Sequence, residues 1–209
     1  FLGIMSSTLS FSEDSSREFL IVYSGNTLGE LKPCGCAKEE DQGGFERRLT
    51  YLKQVLANSK NILLVDTGDN FKTPSTQGKI KARYIMQAMS KSKYDAVIPG
   101  DKDLVYGESF LNNDASVPWL LSNAKLSKIK PPKIRIKKLE NGLTIAMLAL
   151  IDSDLYYDTK HSGGSITDPK ESAQKLIEKL ETSEHPDVIV ALTHMKREEA
   201  ISMLKLSGV

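Results

Sequence analysis

Asn26, Asp69, Asp101, Asp103 and His194 each stand just beyond an apolar run, the pattern expected of side chains delivered to one edge of a sheet. Amide, carboxylate and imidazole donors converging there suit a divalent cation such as Mn, Zn, Fe or Mg. Lys102, set between two of the carboxylates, brings an ammonium to the same edge. Such a charge disfavours a metal and can hold a phosphate or sulfate as a point charge. Taken singly, these residues also have plainer roles: Asp69 as a helix cap, Lys102 as a solvated cation, His194 as a hydrogen-bonded structural histidine.

The cysteines are Cys34 and Cys36, in Pro33-Cys34-Gly35-Cys36. So short a loop cannot staple a fold, because a disulfide acts chiefly by constraining a long unfolded loop. Thiolates are nucleophiles and soft metal ligands, and Lys32 and Lys38 are near in sequence. Three readings stand: an accessible redox pair served by a redox partner, an inert loop pair, or a surface metal clip, for which the sequence identifies no further ligands. His161 and His185 fall in expected surface loops, and Trp119 beside Pro118 reads as core.

The elements that must position these residues alternate between strand and helix. Strands are expected over Glu18–Tyr23, which should be buried, and over Ile62–Val65, Tyr94–Ile98, Pro118–Ser122, Leu143–Ile151 and Asp187–Leu192. Alternation in Lys133–Lys137 and the turn pair Asn141-Gly142 predict a hairpin. Helices are expected from Phe45 to near Ser59, over Ile80–Met89, after Asp168-Pro169, where Asp168 can cap and Pro169 suits the first turn, and over Glu198–Leu206. The stretch Leu28–Gly44 reads as loop. Together these give an α/β chain with a largely parallel sheet and flanking helices.

With 209 residues the chain suffices for one sizeable core. Lys plus Arg total 28 against 27 Asp plus Glu, so no bulk field favours nucleic acid or an anionic membrane. Residues 1–17 run from apolar to polar and read as a signal-peptide tail or a disordered arm. No apolar stretch long enough for a transmembrane segment follows.

Asn26-Thr27-Leu28-Gly29, Gly43-Gly44 with Arg47-Arg48, Val65-Asp66-Thr67-Gly68-Asp69, Gly100-Asp101-Lys102-Asp103, Ser122-Asn123-Ala124 and Ala191-Leu192-Thr193-His194 follow one another in an informative order. Together they resemble the 5′-nucleotidase branch of the calcineurin-like metallophosphoesterases over roughly residues 19–209. The resemblance implies an αββα sandwich of which residues 18–209 supply the N-terminal half, short of a final Gly-His-x-His. It also implies a divalent-metal site: Asn26 and Leu28 stand where the family has Asp and His. Asp69 keeps the bridging carboxylate, Asp101 replaces an Asn ligand, Lys102 replaces the His that assists phosphate chemistry, and Asp103 and His194 are retained.

On this resemblance the metal set is Asp69, Asp101, His194 and Asn26, with Lys102 and Asp103 in the catalytic positions and one divalent ion or none as cofactor. The implied protein is a pseudoenzyme binding a phosphate-containing small molecule, another anion or a partner. The alternatives are a phosphoesterase with a reduced metal site and a redox protein using Cys34 and Cys36. An exported subgroup with a Pro-Cys-Gly-Cys loop resembles the chain further, which implies a periplasmic or otherwise exported location.

Overall fold

In the computed structural model, residues 17–33, 43–112, 116–152, 154 and 164–203 are described. Cys34, Cys36 and His161, and with them the expected redox pair, lie outside these residues.

β2 (Ile62–Asp66) is buried at every position, as its unbroken apolar run requires, and pairs in parallel with β1 (Leu20–Ser24) and β3 (Ala96–Val97). α1 (Phe45–Asn58) and α2 (Thr76–Lys91) contribute Phe45, Leu52, Ile85 and Met89 to the core that includes β2. α2 starts earlier than its apolar spacing suggested, because Ser75 accepts the Gly78 amide and caps a turn that reads locally as loop. β1 departs from expectation. Leu20, Ile21 and Tyr23 are exposed, and among the described residues this strand pairs on one side only, with β2.

The second sheet has the order β5 (Arg135–Lys138), β6 (Thr144–Ile151), β8 (Val188–His194), antiparallel in the first pair and parallel in the second. The alternation of β6 divides its side chains between two layers. Ile145, Met147, Ala149 and Ile151 join the core shared with the first sheet. Ala146, Leu148 and Leu150 pack with Ala173, Ile177 and Leu180 of α4 (Pro169–Ser183) and Met203 of α5 (Arg197–Met203). α4 begins as Asp168-Pro169 predicts, with Asp168 accepting the Glu171 amide at 2.7 Å. The result is the expected mixed α/β sandwich with parallel strands and flanking helices.

Pro118–Ser122 was expected as a strand, and it forms only one bridge, Trp119 to Val97. The segment changes partners too often for a ladder. Leu120 donates to Val97, Leu121 to the Pro132 carbonyl and Ser122 to the Ala149 carbonyl, so it stitches the first sheet to the second. Trp119 is buried, with its indole N–H on the Leu111 carbonyl. A small antiparallel pair, β4 (Ala124–Lys125) with β7 (Ser165–Ile166), had no sequence signal. α3 (Glu108–Leu111) follows the third site loop.

Candidate metal and phosphate site

Three strand ends meet. Past β2 the chain turns through Gly68 and Asp69, the latter in the left-handed region at φ 60°, which short polar side chains tolerate better than most. Past β3 it enters a 3₁₀ turn over Asp101–Leu104. His194 closes β8, opposite Ile151 of β6.

These three elements bring ligand atoms of Asp69, Asp101 and His194 within 4.8 Å of one another. His194 Nδ1 lies 2.9 Å from the Thr67 carbonyl, an acceptor, so Nδ1 carries the hydrogen. Its Nε2 then faces Asp101 Oδ1 at 3.2 Å and Asp69 Oδ1 at 3.5 Å. With Nδ1 committed to Thr67, Nε2 and the two carboxylate oxygens are three electron-pair donors facing one another, an arrangement that a shared cation satisfies. Two oxygens and one imidazole nitrogen fit a single divalent ion of the Mn, Zn, Fe or Mg group.

The other oxygen of Asp69 is already engaged. Lys102 Nζ donates to Asp69 Oδ2 at 2.8 Å, and the Lys102 amide donates to Oδ1 at 3.1 Å. This hydrogen bond, helped by the charges of Asp69, Asp101 and Asp103 and opposed by partial burial, raises the Lys102 pKa. The ammonium stays charged. Its side chain remains 44% exposed while Asp69 is 7% exposed, so it can meet an incoming ligand without leaving its partner.

Asp103 has a different position from its neighbours. It is fully buried, and its carboxylate accepts the amides of Asp69 and Gly100 at 2.9 Å and Asn70 at 2.8 Å. Desolvation, reinforced by the charge of Asp66, pushes its pKa well above the usual carboxylate range against those amides. The geometry makes it a clamp between the second and third loops.

The first loop is laced to the second by main-chain bonds from Asn26 to Gly68, Leu28 to Asp69 and Gly29 to Asn70. Asn26 and Leu28 therefore lie beside Asp69, at φ 49° and 50°. Asn26 is exposed, and among the described residues its side-chain amide makes no hydrogen bond. Leu28 supplies no side-chain donor, so among the described residues this loop does not complete a second metal site beside Asp69.

Sequence reasoning missed the layer beneath. Asp66, with no exposed surface, accepts Ser24 Oγ at 2.5 Å and both the Gly68 amide and Asn70 Nδ2 at 2.8 Å. Arg48 Nη1 lies 3.6 Å from Asp66, and its Nη2 donates to Thr27 Oγ1 at 2.8 Å. Thr27 then donates to Asn70. Thr27, Arg48 and Asp66 all lie within the ordered motifs, but nothing local in those motifs shows that they bond to one another. His185 is on the surface, at φ 46°.

Gly100 permits this closeness. A Cβ there would lie 2.5 Å from Asp69 Oδ1, 2.6 Å from the Asp69 amide nitrogen and 2.9 Å from His194 Cε1. Gly100→Ala must therefore spread the loops apart. We expect about 1–3 kcal/mol of destabilisation from this overpacking, read from thermal or urea unfolding, with displaced His194 ring resonances. Unchanged stability and unchanged His194 shifts would show that the loops are not tightly juxtaposed.

No protein-family profile matches the chain. It is 30% identical over 167 residues to a 5′-nucleotidase of Vibrio cholerae, an alignment covering 73% of this chain and 30% of that protein. Among solved structures, a 5′-nucleotidase precursor from Thermus thermophilus superposes with a TM-score of 0.75 at 22% identity, covering 90% of this chain and 39% of the other. The calcineurin-like phosphoesterase YfkN from Bacillus subtilis gives 0.64 at 23% identity, covering 83% and 61%. The chain thus spans under a third of that curated relative. No helix among the described residues is long and apolar enough to cross a membrane.

Proposed function

We infer that this chain, which belongs to the 5′-nucleotidase branch of the calcineurin-like metallophosphoesterases, binds a phosphate-bearing small molecule at a site that no longer holds two metals. The contact of Lys102 Nζ with Asp69 Oδ2 carries this reading, because it puts a fixed ammonium on the carboxylate that the resemblance assigns to bridging cations. Two-metal hydrolysis holds the attacking and leaving oxygens between paired cations. With Leu28 and Lys102 in place, that arrangement loses a donor and gains a competing charge. An anion can still be held by the exposed side of Lys102, on the flank away from the Asp101 carboxylate, which repels it. Asp103 serves by fixing the loops.

Binding of inorganic phosphate and AMP, measured calorimetrically, should weaken about tenfold or more in Lys102→Ala, the loss of one charge-assisted contact. No Mn-dependent release of phosphate from nucleotides or a chromogenic phosphate ester is expected above that of Asp69→Ala. Equal phosphate affinity in Lys102→Ala would sink the assignment.

A second reading, hydrolysis with a reduced metal site, is favoured by His194 Nε2 facing Asp69 and Asp101. A divalent ion held there would supply polarisation of a phosphoryl oxygen. Robust Mn-dependent turnover abolished by Asp69→Ala would establish this second reading in place of the first.

A further inference from the structure

A groove of about 990 Å³ lies between α1 and α2 over the first half of β2. None of Asp69, Asp101 and His194 lines it. Its apolar wall includes Leu52, Ile62 and Leu64 from the core, together with Leu56 and Tyr84, which are 38% and 60% exposed. Such surface is normally covered by packing neighbouring helices together, and here no described residue covers it.

The rim is cationic. Five lysines line it against two carboxylates, Asp95 and Glu140. Lys137 is held by Asp95 at 2.7 Å and by the Ile62 carbonyl at 2.8 Å, and Lys60 faces Glu140 at 3.6 Å. Those two pairs account for both acids. Lys53, Lys91 and Lys93 have no carboxylate partner among the described residues, so the positive charge of the rim is uncompensated.

We propose that this groove binds a free anionic amphiphile: a single alkyl or aryl chain lying between the helices, with its carboxylate, sulfate or phosphate head at Lys53, Lys91 and Lys93. Three observations support that class of ligand. The volume falls within the range of small-molecule sites. The walls gain by excluding water from the apolar part, and the unpaired lysines match only a negative head. A recess between two helices encloses one chain, whereas a membrane surface would meet only its rim.

Calorimetric titration of the whole chain with laurate, below its aggregation threshold, is expected to show saturable binding of one equivalent. Dodecyltrimethylammonium, with the same tail and opposite charge, should not bind, and butyrate, with too little tail, should bind far more weakly. Lys53→Glu with Lys91→Glu should weaken laurate about tenfold, the combined effect of two partly exposed ion pairs. Ala88→Trp, filling the groove without altering its charge, should abolish binding while leaving phosphate binding at Lys102 intact, so the two sites are tested separately. Equal binding of both surfactants, or insensitivity of laurate to the charge and filling variants, would overturn the proposal. Binding to phosphatidylglycerol vesicles without binding to monomeric laurate would overturn it too, by assigning the lysines to a membrane surface.

Discussion

Asp103→Ala is expected to lower the stability of the chain by about 3 kcal/mol, more than any other single substitution at the site. The carboxylate accepts three buried main-chain amides, from Asp69, Asn70 and Gly100. Each donor left without a partner costs roughly 1–3 kcal/mol. Removing the acid also relieves its desolvation and the repulsion from Asp66 and Asp69, the influences that raise its pKa, so the net loss falls below the simple total. Urea unfolding with an unchanged m-value would report the effect as a shifted midpoint. Asp103→Asn should lose less, since one oxygen can still accept two amides while the new NH₂ confronts the third. A midpoint unmoved in Asp103→Ala would mean the loops are held elsewhere, with the Asp66, Arg48 and Thr27 network as the alternative anchor.

Much of the fold was readable because long apolar periods dominate it. Ile62–Val65 and Leu143–Ile151 are hydrophobic enough that only buried strands accommodate them, and they became β2 and β6. Asp168-Pro169 marked the start of α4 through a local cap that needs no tertiary information. Pro118–Ser122 was read less well because its partners are set by two sheets that local sequence cannot foresee. The exposure of β1 was hidden for a related reason: an apolar run says that a strand wants covering, and whether its faces are covered depends on distant segments, here leaving Tyr23 76% exposed among the described residues.

At the site, sequence order identified which residues arrive at the sheet edge, and distance then separated their roles. Asp101 and Asp103 are two positions apart in one short turn, yet one carboxylate faces His194 and the other is spent on backbone amides. Nothing in Gly-Asp-Lys-Asp foretells that division, which depends on Gly68 and Asp69 approaching from another loop. Leu28 offers a further clue. It holds φ 50°, a conformation unfavourable for a branched apolar side chain, because its amide is tied to the Asp69 carbonyl. The backbone of this loop is thus set by its ladder to the second loop and not by the apolar Leu28 side chain.

Lys102→Ala should raise the affinity for a single Mn ion at Asp69, Asp101 and His194 by about tenfold to a hundredfold, in the opposite direction to its effect on phosphate. In the native chain Lys102 Nζ is bonded to Asp69 Oδ2 at 2.8 Å, so an incoming ion meets a neutralised carboxylate and a nearby like charge. Deleting the ammonium frees that oxygen and removes a repulsion of a few kcal/mol at an intermediate effective dielectric, reduced by the partial exposure of the lysine. Lys102→Arg, which keeps the charge, should leave Mn binding weak. Adding Asn26→Asp and Leu28→His to Lys102→Ala supplies two further donors beside Asp69, and a second equivalent of Mn is expected. Electron paramagnetic resonance of free Mn gives both the affinity and the stoichiometry. If Lys102→Ala binds Mn no better than the native chain, the ammonium is not what keeps the metal out, and the reading of Lys102 as a resident cation fails.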